Sequence, residues 1–147
     1  MHPKEFILVA EDDLDDQQLL QTVFKEKKYL TPLRFVNNGI ELIDYLHLIL
    51  ENNGNHPYPN FILLDLNMPK MDGKQALKVI KEHAALKRIP VIVFSTTENK
   101  SEIDQCYELG ANTYVVKPTS YTKLLTTMEA INRYWLNTAT IPVPDMR

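Results

Sequence analysis

Four hydrophobic runs in this sequence each lead into side chains capable of polar chemistry. "FILVA" runs into Glu11, Asp12 and Asp13, and "FILL" runs into Asp65. "PVIVF" is followed by Ser95, and "TYVV" by Lys117. Like charges ~4 Å apart repel by about 4 kcal/mol at an effective dielectric of ~20, so acids gathered at one place require a cation. Glu11, Asp12 and Asp65 offer hard oxygen ligands with no His or Cys among them, a set that suits Mg²⁺. Lys117 adds a permanent positive charge, and the Ser95 hydroxyl can donate to an anion seated between metal and ammonium. That combination points to phosphoryl transfer onto a carboxylate, with Asp65 as the nucleophile.

For these groups to meet, the runs that carry them must lie side by side. The first, third and fourth runs (6 to 10, 61 to 66, 90 to 94) are nearly continuous apolar stretches, the pattern of strands buried on both faces of a parallel sheet. "LRFV" (33 to 36) and "TYVV" (113 to 116) supply two more strands. Helical spacing follows each: Leu19, Leu20, Val23 and Phe24; then Ile43, Leu46 and Leu50; then Ala76, Leu77, Ile80 and Ala84; then Ile103, Cys106 and Tyr107; and finally Leu124, Leu125, Met128, Ile131 and Trp135. Five strand–helix units predict an α/β fold, a single doubly wound five-stranded parallel sheet flanked by five helices. Ligands of such sheets bind beyond the carboxyl ends of the strands, at the switch point of strand order, where all the groups above fall.

The chain has 147 residues, suited to one domain with its core over about 4–136 and an extended tail over 137–147, with no linker leading to an effector domain. "ENNGNHPYPN" (51 to 60) reads as a polar loop. A net charge of -3, with Lys and Arg dispersed, argues against a nucleic-acid partner. No apolar run reaches membrane-spanning length and no signal peptide is legible, so the expected location is cytoplasmic. The single cysteine, Cys106, excludes an internal disulfide and reads as a packing residue. His2, His47, His56 and His83 lack metal-ligand spacing. Taken singly, Asp13, Asp15 and Asp16 read as acids capping the first helix. Tyr134 and Trp135 read as packing residues on the last helix.

The pieces "ILVAEDD", "ILLDLNMPKMDG", "VIVFST" and "YVVKP" occur in this order, with 30 residues from Asp65 to Ser95 and 52 from Asp65 to Lys117. In these the chain resembles the receiver domain of bacterial two-component response regulators, over nearly its whole length. The resemblance implies a flavodoxin-like receiver in a phosphorelay, with Asp65 taking a phosphoryl group from a sensor histidine kinase. It implies that Asp12 is the more direct Mg²⁺ ligand, with Glu11 acting partly through water and Asn67 lending its backbone carbonyl. By the same resemblance Ser95 is the switch hydroxyl, Lys117 the phosphate-pairing lysine and Tyr114 the switch aromatic. Thr96 stands where many receivers carry Ala or Gly, which implies narrower access to the phosphorylated acid. The opening "EDDLDD", the loop "ENNGNHPYPN" and the ending "INRYWLNTATIP" are similar to stand-alone receivers paired with bacterial phytochromes and related kinases, a group that often forms homodimers partly through the C-terminal segment.

Two other functions compete. A Mg²⁺-dependent phosphatase or phosphotransferase with an Asp nucleophile usually carries a second acid two residues later for proton transfer, and Asn67 occupies that position. A flavodoxin-like electron carrier needs a hydroxyl- and amide-rich phosphate loop after the first strand, where this chain has Glu11 and Asp12. The expected role is therefore that of a signalling phosphoacceptor, not an enzyme acting on other molecules.

Overall fold

The computed structural model describes residues 5–52 and 58–142. Five strands, β1 (Phe6–Ala10), β2 (Leu33–Val36), β3 (Pro59–Leu64), β4 (Val91–Ser95) and β5 (Thr113–Val116), form one parallel sheet in the order β2-β1-β3-β4-β5. Five helices connect and follow them: α1 (Leu14–Glu26), α2 (Gly39–Glu51), α3 (Gly73–Glu82), α4 (Lys100–Glu108) and α5 (Tyr121–Asn132). The continuous apolar runs are explained by the two faces they serve. Leu8, Ile62, Leu64 and Val93 point toward α2, α3 and α4, whereas Ile7, Val9, Phe61, Leu63 and Ile92 point toward α1 and α5. Strand order reverses between β1 and β3, whose ends lie in register at Ala10 and Leu64. The acids after these two strands therefore emerge side by side.

Three element boundaries move from their expected positions. β3 begins at Pro59, inside the stretch expected to be loop, with a register shift in its pairing to β1 between Phe6 and Ile7. α3 stops at Glu82 because the chain turns out of helical geometry at His83, whose Nδ1 accepts from the amides of Ala85 and Leu86. Ala84 is thus exposed, and Leu86, in a short 3₁₀ turn, fills the core in its place. The last helix continues through a π-helical segment, Arg133–Thr138, so regular structure runs past the start of the expected tail. Residues 143 to 147, residues 53 to 57 of the expected loop 51 to 60, and His2 and His56 lie outside the described residues. Leu19 and Tyr107, placed on apolar helix faces by their spacing, are exposed. Among the described residues no helix is long and apolar enough to cross a membrane.

Candidate phosphoryl-accepting site

The ends of four strands, β1, β3, β4 and β5, deliver the site residues. Asp65 directly follows β3, and its amide donates to the Ala10 carbonyl at 3.0 Å, which ties it to the neighbouring strand. The loop beyond it turns away because Leu66 and Met68 are buried while Asn67 is exposed. α3 then starts against the backbone of the strand end: the Gly73 amide donates to the Leu66 carbonyl at 3.0 Å. A Cβ on Gly73 would lie 2.3 Å from the Asp65 carbonyl oxygen, so only glycine permits this approach. Asp72 caps the helix by accepting from the Gln75 amide at 2.9 Å, and the Gln75 side chain accepts from the Asp72 amide at 3.0 Å.

Glu11 and Asp12 emerge from β1 beside Asp65. One carboxylate oxygen from each of the three acids lies within 4.8 Å of the others. Glu11 and Asp65 are buried and Asp12 is exposed. Burial raises the Glu11 carboxyl from 4.5 to about 7, outweighing the attraction of Lys117. Burial likewise raises Asp65, against the opposing charge of Lys117. Two desolvated carboxyls and an open third form an all-oxygen donor set, which fits a hard divalent cation.

Lys117 follows β5 and supplies the positive charge on the inner side. Its ammonium pairs closely with Glu11, donates to Asp16 Oδ2 at 3.0 Å, and stands 3.9 Å from Asp65 Oδ1. Burial works against its charge, yet its carboxylate partners together hold its pKa above the ordinary lysine value. The Lys117 amide donates to the Ser95 carbonyl at 2.7 Å, joining the ends of β4 and β5. Ser95 is fully buried, and its Oγ accepts from the Thr97 amide at 3.4 Å. Tyr114, half-buried on β5, turns its hydroxyl toward the same loop and donates to the Thr97 carbonyl at 2.8 Å. Thr96 is exposed.

The structure thus gathers Glu11, Asp12, Asp65 and Lys117 at one sheet edge, with Ser95, Asn67 and Tyr114 around them. Of the acids read as helix caps, Asp13 is one: its carboxylate accepts from the Asp15 amide at 2.8 Å and the Asp16 amide at 3.2 Å. Asp15 and Asp16 lie in the first turn of α1, where their charge complements the helix dipole, and Asp16 in addition reaches Lys117. His47 and His83 stack loosely between α2 and α3, with ring centroids 5.9 Å apart and away from these acids.

Comparison with known proteins agrees with this geometry. Residues 7–129 match the response regulator receiver domain. The chain is 38% identical over 141 residues to the response regulator Rcp1 of Synechocystis sp., covering 96% of this chain and 95% of that protein. The crystal structure of the phosphorylated cyanobacterial phytochrome response regulator RcpA superposes with a TM-score of 0.84 at 37% identity, over 97% of this chain and 99% of that one. The Mn²⁺-bound form of Rcp1 gives 0.83 at 37%, covering 95% and 99%. With this match spanning the sheet and every strand end that carries the site, the chain belongs to the response regulator receiver family of two-component signalling.

Proposed function

We propose that Asp65 is the phosphoacceptor and that this site switches a protein-binding face. The observation that carries the reading is the convergence of Asp65, Asp12, Glu11 and Lys117 from three strand ends at the point where strand order reverses. A carboxylate oxygen of Asp65 attacks the phosphorus of a sensor kinase's phosphohistidine. The P–N bond breaks, its electron pair returns to the imidazole, and an acyl phosphate forms. Asp12, Asp65 and the Asn67 carbonyl, with Glu11 behind them, would hold Mg²⁺, which supplies neutralising charge to phosphoryl oxygens. Lys117 compensates a further oxygen.

Ser95 then donates its hydroxyl to the new phosphoryl group, and Tyr114 shifts with the loop it grips through Thr97. The surface of α4, β5 and α5 changes accordingly, biasing an equilibrium between two packings. Similarity to RcpA, a cyanobacterial phytochrome response regulator, supports a phytochrome-like kinase as donor in a bacterium. Exposed Tyr134, edge-to-face with Trp135 on the π-helical segment, supports a homodimer contact there.

Intact mass after incubation with acetyl phosphate and Mg²⁺ tests the reading. Wild type gains one phosphoryl group and Asp65→Asn gains none. Equal labelling of both would remove Asp65 from its role, and repeated turnover of phosphate monoesters would favour a phosphatase.

A further inference from the structure

Lys117 has three ammonium hydrogens, and the structure spends the short contacts away from the acceptor. They go to Glu11 and to Asp16 Oδ2, at 3.0 Å for the latter, whereas Asp65 Oδ1 at 3.9 Å lies beyond hydrogen-bond range. Asp16 is free to make this bond because Asp13 already accepts from the first amides of α1. All of these groups line one cleft of about 40 Å³, with Glu11, Asp16, Asp65 and Lys117 facing each other over Leu20 and Phe94.

We infer that Asp16 is a positioning residue that holds the Lys117 ammonium back from Asp65 until a phosphoryl group arrives. The inference rests on Asp65 being the phosphoacceptor. A phosphoryl group on Asp65 brings additional charge and acceptor oxygens, and the Lys117 ammonium, 3.9 Å from Asp65 Oδ1, must move toward them and so stretch one of its two existing bonds. Glu11 is the harder bond to release, since its side chain is only 4% exposed and water cannot readily take the place of the lysine there. The Asp16 side chain is 36% exposed, so water replaces the lysine at little cost. Asp16 therefore competes with the phosphoryl group for one ammonium and slows the uptake of phosphate by the resting protein.

The test compares wild type, Asp16→Asn and Asp16→Glu for the rate of phosphorylation by acetyl phosphate with Mg²⁺. The Lys117 Nζ resonance is followed in lysine labelled with ¹⁵N. Asp16→Asn is expected to react about two- to fivefold faster, the upper part of the range appropriate to one partly exposed ion pair. Asp16→Glu, which keeps the charge, stays within about twofold of wild type. In unphosphorylated Asp16→Asn the Nζ resonance lies displaced toward its position in the phosphorylated wild type. An unchanged or slower rate in Asp16→Asn overturns the inference. So does a faster rate with an unmoved Nζ resonance, which would assign the gain to general loss of negative charge. Failure of the underlying reading shows separately, as phosphoryl uptake by Asp65→Asn.

Discussion

Two partly buried ammonium groups sit at opposite edges of the sheet, and burial acts on them with different outcomes. Lys117, at the carboxyl edge, is surrounded by carboxylates that more than offset its desolvation. Lys81, at the amino edge, donates to the carbonyls of Lys87 and Ile89 at 3.0 and 2.9 Å and to Asn112 Oδ1 at 2.9 Å. Neutral acceptors satisfy its hydrogens without balancing its charge, so burial lowers it from 10.5 to about 8. Between these two values the unfolded chain binds more protons at this position than the folded one, so the stability it contributes rises with pH. Urea denaturation of wild type and Lys81→Met at pH values spanning about 8 to about 10.5 is expected to show the difference moving in favour of wild type as pH rises. A constant difference would mean that the ammonium is as well solvated in the fold as outside it.

At the scale of elements, the approach of α3 to the end of β3 sets how Asp65 is presented. Replacing Gly73 by Ala inside a helix normally stabilises it by about 1 kcal/mol. Here the added methyl meets the Asp65 carbonyl oxygen and the Leu66 Cα, at 2.3 and 2.7 Å. Overpacking of backbone against backbone reverses the sign, and Gly73→Ala is expected to cost about 1–3 kcal/mol in urea unfolding. Its phosphorylation should slow as well, because the strand end that carries the acid must move. A stabilised Gly73→Ala protein would show that the loop yields freely. Lys81 has a related role at the other edge, where its stem fills the space a Cβ on Gly110 would need, 2.9 Å from its Cγ. Gly110, with φ of 106°, turns α4 toward β5 beside that stem.

For the whole molecule, the sheet separates two apolar layers that share strands but few side chains. Leu77 on α3 and Met128 on α5 are both fully buried, one in each layer. Leu77→Ala and Met128→Ala are each expected to destabilise by about 2–5 kcal/mol through lost contacts and residual cavities. The double variant should equal the sum within ~0.5 kcal/mol, since the sheet keeps the two sites from sharing a cavity. Marked non-additivity in denaturant unfolding would indicate that the layers communicate through the strands. Such coupling would bear on how a change at Asp65 reaches the α4, β5 and α5 surface.

Much of this organisation was legible in the chain itself. A strand buried on both faces must be apolar at every position, so "FILVA", "FILL" and "VIVF" declared the central strands, and the polar residues after them marked the carboxyl edge. Helical periodicity was less decisive, because it gives a face but not its limits: Ala84 and Leu19 fit the spacing, yet one lies past the helix end and the other faces solvent. Spacing along one segment also carries no distance to another. Only tertiary structure decided that Lys117 spends its bonds on Glu11 and Asp16 and stands back from Asp65, that Tyr114 turns inward to Thr97, and that Lys81 clamps the amino edge. Each of these is a competition among groups from separate strands and helices for a limited number of hydrogen bonds. Its outcome depends on burial and separations of a few ångströms that exist only once the sheet has formed.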